Sequence, residues 1–440
     1  MQDFQVRFIE VGSPEAEAQL GQISARSKMD IGDVNATVAA VLARVQAEGD
    51  AAVLDYTERF DKVRLNAADL PVRKEEIEAA LAGLDPQLLA DLERAADSVR
   101  RFHEAQLINS QDVSLTDAHG SRVALLERPL ERVGIYVPGG TAPLPSSVLM
   151  NAIPAAVAGV EEVIMCTPPN REGKIAPVIL AAASLAGVTR IFRIGGAQAI
   201  AALAYGTETV PKVDKISGPG NIYVNVAKRL VYGTVDIDMF AGPSEILIIA
   251  DESARASFVA SDMLSQAEHD KLASAILVTD SRALAESVQK ELQRLASQAG
   301  RTEILQASLR DYGAILLCRD LSEAVDLANQ FAPEHLEIMV KPDVEASILA
   351  GIKNAGAIFV GEWSPEPLGD YFAGPNHVLP TSGTARFFSP LHVAQFRKKI
   401  SLIHYQKATL MEAAETVERL AASEALDCHA AAVRVRREEG

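Results

Sequence analysis

Pro333-Glu334-His335 sets a carboxylate and an imidazole side by side, just after a residue that restricts the backbone. Their ordinary pKa values lie on either side of the range in which enzymes move protons, so the pair can serve as general acid and base. The same residues also suit a plain helix start, with Pro in the first turn and an acidic side chain after it. Gln266 and His269 lie three apart in a stretch read as helical, Ser261 to Lys271, and both could face one metal ion. A solvated helix face is the other reading, since Asp262, Glu268 and Asp270 share the stretch, and Glu268 is the commoner type of ligand. Asp370 and His377 fall in a Gly/Pro-bearing loop, where a metal ligand and a substrate contact are commonly held. A turn closed by Asp370 and Asn376 is the alternative. Glu424 and His429, five apart, diverge on a single helix, so a shared site needs a bend near Asp427-Cys428.

Three glycine-rich turns follow expected strands: Gly134 to Gly140, Gly195-Gly196-Ala197-Gln198, and Ser217-Gly218-Pro219-Gly220-Asn221. Glycines there let backbone amides approach a phosphate at a helix N-terminus. None is G-x-G-x-x-G, so the choice is between a nucleotide site of another pattern and close helix-strand packing.

The elements that must hold these groups alternate in type. Short apolar runs at Arg132 to Val137, Glu162 to Cys166, Arg190 to Ile194, Lys212 to Ile216 and Glu245 to Ala250 are separated by Ala-rich helical stretches. A second series follows at Ala275 to Thr279, Gly313 to Leu317 and Ala357 to Val360. The pattern predicts an α/β protein with two similar Rossmann-like parallel-sheet domains around a cleft and small helical segments at both ends. Residues 1–31 are expected to be a helical arm, with one helix from Pro14 to about Lys28. Residues 32–133 with 244–388 form the expected first domain. Residues 134–243 form the second, and 389–440 a helical tail. Within the first domain, helices are expected after Asp33, from Asp50 to about Phe60, and from Asp85-Pro86 to about His103.

A chain of 440 residues with a formal charge of −17 and no long basic run points to a small substrate rather than nucleic acid or an anionic membrane. No membrane span or export signal is evident, and Cys166, Cys318 and Cys428 are too few and too scattered for a disulfide framework. A cytoplasmic protein is expected. Cys166 could act as a nucleophile, but it ends an apolar strand and reads as core.

Together the runs ERVGIYVPGGTAPLPSSVLMNAIPAAVAGV, IGGAQAIAALAYGTE, KISGPGNIYVNVAKR, AGPSEILIIAD, SQAEH, FAPEHLE and GDYFAGPNHVLPT resemble, in order, the histidinol dehydrogenase family. The resemblance covers nearly the whole chain. It implies NAD-dependent oxidation of L-histidinol through L-histidinal to L-histidine, with one zinc per subunit held by Gln266, His269, Asp370 and His429. Glu334 and His335 would be the proton-transfer pair, and Tyr136, Gln198 and Asn221 the NAD contacts. The substrate would touch Ser244, Gln266, His269, His335, Asp370, His377, Glu424 and His429. A homodimer is implied, with the tail packing on the partner subunit and His429 and Glu424 reaching the partner's site; the resemblance gives metal and substrate to the first expected domain and NAD to the second. Similar chains oxidise other small polar alcohols such as sulfopropanediol, which is the alternative substrate.

Overall fold

The computed structural model describes residues 4, 6–26, 32–109, 112–139, 143–240 and 242–439. Lys28 and Gly140, named above, lie outside them. The chain divides into two compact units, Met1–Glu104 with Leu130–Phe396, and Ala105–Pro129 with Arg397–Gly440.

Two parallel sheets organise the first unit. One runs in the order Arg190–Arg193, Glu162–Thr167, Arg132–Tyr136, Lys215–Ser217, Asp236–Ile237. Continuous apolar runs such as Val163 to Cys166 are what a strand covered on both faces requires, and these four residues are fully buried. The other sheet runs Arg7–Glu10, Ala314–Leu317, Ser274–Thr279, Glu245–Ala250, His335–Met339, Ala357–Val360. With the edge strand Arg7–Glu10 set aside, both sheets follow one order when their strands are numbered along the chain: third, second, first, fourth, fifth. The expected α/β architecture is therefore present.

Three local expectations differ. The N-terminal arm is not wholly helical, because Arg7–Glu10 pairs with Ala314–Leu317 and closes the sheet edge before the helix Pro14–Ala25 begins. Ser13 caps that helix by accepting the Ala16 N–H at 3.2 Å. The helices Gly32–Glu48 and Asp50–Asp61 pack on the five-stranded sheet instead of joining residues 244–388. Their stripe of Val38, Val41, Leu42, Val45 and Val53 meets Phe192, Ile200 and Leu203. Helical periodicity shows that a face is buried, not which face receives it. Finally, Arg397–His404 is a strand, so the tail is helical only in the short 3-10 turn Val393–Phe396 and over Lys407–Ser423 and Asp427–Glu439.

In the second unit Arg397–His404 and Val113–Thr116 flank Arg122–Pro129 in an antiparallel sheet. Leu115 faces Val123 and Val123 faces Ile403 across the strands, and all three are exposed, Ile403 by 75%. Among the described residues no helix is long and apolar enough to cross a membrane.

Candidate active site

The Phe331-to-Glu337 stretch is no helix start. The helix Leu321–Phe331 ends at Ala332, which turns left-handed at φ 52°, and a strand begins at His335. This turn delivers Glu334 and His335 to the N-terminal edge of the six-stranded sheet, beside the start of Glu245–Ala250. Glu334 and His335 are 6% and 5% exposed. The Glu245 backbone orients both: its N–H donates to Glu334 Oε2 at 3.0 Å, and its carbonyl accepts from His335 Nδ1 at 3.1 Å. A carbonyl can only accept, so Nδ1 carries the proton and Nε2 keeps a free lone pair. Burial lowers the His335 pKa to about 4, so the imidazole is held neutral with Nε2 unprotonated. Burial, and then the nearby Glu245 carboxylate, push Glu334 well above the usual carboxylate range. The Glu245 side chain is itself locked in a buried ion pair with Arg26 at 2.5 Å, and Ser244 precedes it with its carbonyl accepting the Ser274 N–H.

Other donors gather at this edge. Asp370 is not in a loop but on the short helix Glu366–Tyr371, one turn after Glu366. His377 Nδ1 lies 3.2 Å from Asp370 Oδ1, and Glu366 Oε1 lies 3.8 Å from His335 Nε2. Burial, then the Asp370 charge, raise the Glu366 pKa to about 8. For Asp370, burial acts upward, but the bond from His377 and the neighbouring imidazoles overcome it and leave the carboxyl low. One ligand atom each from His269, Glu366 and Asp370 falls within 4.8 Å of the others. The helix before them ends at Ala267, so His269 stands in the turn just beyond rather than on the helix, and its N–H bonds the Gln266 carbonyl. Gln266 is fully buried with neither amide atom hydrogen-bonded. An unpartnered buried amide and clustered carboxylates are costly alone and become favourable around a cation, so the donor set fits a metal. A helix C-terminus carrying partial negative charge points at the same place.

Glu366 was not singled out by the sequence reading, although its spacing of four from Asp370 puts both on one helix face. Glu337 was also missed, and Asp262 was read only as part of a solvated helix face; both are buried, Glu337 Oε1 accepts the Glu366 N–H at 2.9 Å, and burial followed by the Asp262 charge raises the Glu337 pKa. Glu424 and His429 belong to the second unit, both exposed, Glu424 at the start of the bend between its helices and His429 just after it. That bend lies at Glu424 to Leu426, slightly before the expected Asp427-Cys428.

The five-stranded sheet carries a cavity of about 770 Å³ at the C-terminal ends of its strands, lined by Tyr136, Gln198, Asn221, Asp61, Arg171 and Lys174 among others. Tyr136 ends its strand, and its hydroxyl accepts the Gly196 N–H at 3.1 Å. Asn221 caps the helix Ile222–Val231 by accepting the Tyr223 and Val224 N–H groups. Gly218 has φ 120°, and a Cβ there would sit 2.1 Å from the Tyr136 carbonyl oxygen, so only glycine fits this turn. A buried pair, Lys228 with Asp238, grips both its carbonyl and its N–H. Gln198 is fully buried with both amide atoms unpartnered, ready for a ligand. These features match a nucleotide site more closely than simple packing would.

The loop carrying His377 is tied to the five-stranded half of the unit, because Asn376 Nδ2 donates to the Met150 carbonyl at 2.6 Å in the helix Pro145–Val157. Cys166 is fully buried, and burial drives its thiol pKa upward, which disfavours a thiolate nucleophile.

A family model described as histidinol dehydrogenase matches residues 24–437. The chain is 52% identical to a histidinol dehydrogenase of Heliobacterium mobile over 434 residues, covering 99% of this chain and 100% of that one. It is 50% identical to one of Bacillus subtilis over 418 residues, covering 94% and 96% respectively. A crystal structure of histidinol dehydrogenase from Elizabethkingia anophelis superposes with a TM-score of 0.92 at 35% identity, covering 100% of this chain and 99% of that one.

Proposed function

Since the chain belongs to the histidinol dehydrogenase family, we propose that it oxidises L-histidinol through L-histidinal to L-histidine, completing histidine biosynthesis with NAD as hydride acceptor. The observation that carries this reading is the fixed tautomer of His335, a buried neutral imidazole with its free nitrogen at a cluster of metal-ligand side chains. Both relatives described above bear the histidinol name, which favours this substrate over sulfopropanediol.

Gln266, His269 and Asp370 would hold zinc, with His429 supplied by a partner subunit. Bound zinc would anchor the imidazole and amine of the substrate, and bound NAD would take the hydride at each oxidation. His335 Nε2 accepts the alcohol proton in the first oxidation, while the Glu245 carbonyl holds the ring in register. Glu334, fixed by the Glu245 N–H, activates the water that hydrates the aldehyde before the second. Ser244, His377 and Glu424 position the polar ends of the substrate. Glu366, beside Nε2, shapes the same wall of the site. Tyr136, Gln198 and Asn221 contact NAD in the cavity of the five-stranded sheet.

A homodimer is part of the proposal. Glu424 and His429 are exposed at a helix bend, where a second copy could use them, and the exposed Leu115, Val123 and Ile403 give the same unit an apolar face to bury.

The test is NADH formation from L-histidinol before and after rigorous chelation, with zinc added back. Chelation should abolish turnover and zinc should restore it, with about one ion bound per chain. Full histidinol oxidation by metal-free protein would refute the zinc assignment, and no NADH with metal present would refute the substrate.

A further inference from the structure

The helix Asp50–Asp61 ends on an acidic residue, where the helix dipole disfavours negative charge. Asp61 therefore does not serve the stability of its own helix. Its side chain lines the dinucleotide cavity, and its buried Oδ2 has no hydrogen-bond partner. Burial raises its pKa to about 6. The carboxylate lies against the glycine turn after Arg190–Arg193: a Cβ built on Gly195 would be 3.2 Å from Asp61 Oδ1 and 3.4 Å from Oδ2.

That position decides what part of a dinucleotide can approach. In a common dinucleotide fold, the glycine turn at a helix N-terminus takes the pyrophosphate. Here a carboxylate flanks the turn, and the Gly196 N–H is already given to Tyr136. Phosphate offers only acceptors and negative charge, so Asp61 repels it toward Arg171, Lys174 and the Asn221-capped helix on the same cavity wall. Ribose hydroxyls offer donors. A vicinal diol can satisfy both oxygens of one carboxylate, and a 2′-phosphate would replace one donor by a dianion.

We propose that Asp61 reads the adenosine ribose, its carboxylate accepting the 2′,3′-diol and excluding the 2′-phosphorylated cofactor. This rests on the reading of the cavity as the NAD site. It assigns cofactor choice to a helix outside the sheet, whereas the usual acidic residue follows the second strand of the fold itself.

The experiment measures equilibrium Kd for NAD and for NADP on the zinc-loaded enzyme and on its Asp61→Ala, Asp61→Asn and Gln198→Ala variants. Circular dichroism checks that each is folded. Asp61→Ala should weaken NAD about tenfold or more, as expected for loss of a charged hydrogen bond, and should narrow the preference for NAD over NADP. Asp61→Asn, which keeps the shape, should retain more NAD affinity yet also admit NADP better. If both Asp61 variants keep the wild-type ratio while Gln198→Ala weakens NAD, the cavity reading stands and the Asp61 proposal is overturned. If none of the three changes either Kd, the cavity is not the cofactor site and the proposal falls with that reading.

Discussion

The five-stranded sheet presents Tyr136 and its glycine turns at the C-terminal ends of its strands, whereas the six-stranded sheet presents Ser244, Glu334 and His335 at the N-terminal ends. Strand order is the same in both, apart from one edge strand, so topology alone does not explain the difference. Electrostatics does. Crossover helices begin at the C-terminal edge of a parallel sheet and finish at the N-terminal edge, which makes the first edge favourable to anions and the second to cations. A dinucleotide suits the first, and a metal among carboxylates suits the second. At the other end of the six-stranded sheet, Asp251 follows the strand Glu245–Ala250 and ties it to the segment after His335–Met339. Its carboxylate accepts the Lys341 N–H at 2.9 Å and the Ser253 N–H at 2.9 Å.

The comparison can be sharpened by removing one group from the cation edge. His335→Ala should lower turnover by about 10²–10⁴-fold, as for loss of a general base, while NAD affinity stays near wild type. Glu334→Gln should impair oxidation of supplied histidinal more than oxidation of the alcohol. Stopped-flow measurement of each half-reaction checks both, and an equal loss in the two steps would remove the division of labour.

A smaller effect tests whether the cation edge is completed by a second chain. In a doubly tagged dimer of His335→Ala and His429→Ala chains, trans contribution leaves one intact site of two, so about half of wild-type activity should return. No recovery from a verified mixed dimer would place His429 in the site of its own chain or outside the site.

The smallest effect concerns the five-stranded sheet as a source of chemistry. Cys166→Ala should leave turnover within about twofold and cost some stability, because the thiol is buried packing rather than a reactive group. A loss of a hundredfold would bring back a covalent thiohemiacetal route.

The two edges also differed in how far they could be read in advance. Glycine turns after apolar strands mark an anion-favouring edge directly, and Gln198 and Asn221 fall in two of them, although only the family resemblance singled them out as NAD contacts. The strand Glu245–Ala250 was read to its boundaries, yet His335–Met339 was not, since Pro333-Glu334 imitates a helix start. Glu366 and Glu337 escaped notice, and Asp262 was set on a solvated face, because a carboxylate's burial is set by tertiary packing, which no local spacing encodes. The strand Arg7–Glu10 escaped because its partner lies some three hundred residues away, at Ala314–Leu317.

If metal and dinucleotide occupy opposite edges of two sheets alike in strand order, either ligand can be lost without the other, which parallel binding measurements on three proteins would reveal. Zinc content and NAD Kd would be determined for the wild type, for Asp370→Ala and for Gln198→Ala. Asp370→Ala should lose most of its zinc while keeping NAD affinity within about twofold, and Gln198→Ala should keep its zinc while binding NAD several-fold more weakly. Loss of both ligands in either folded variant would contradict the separation of the two edges.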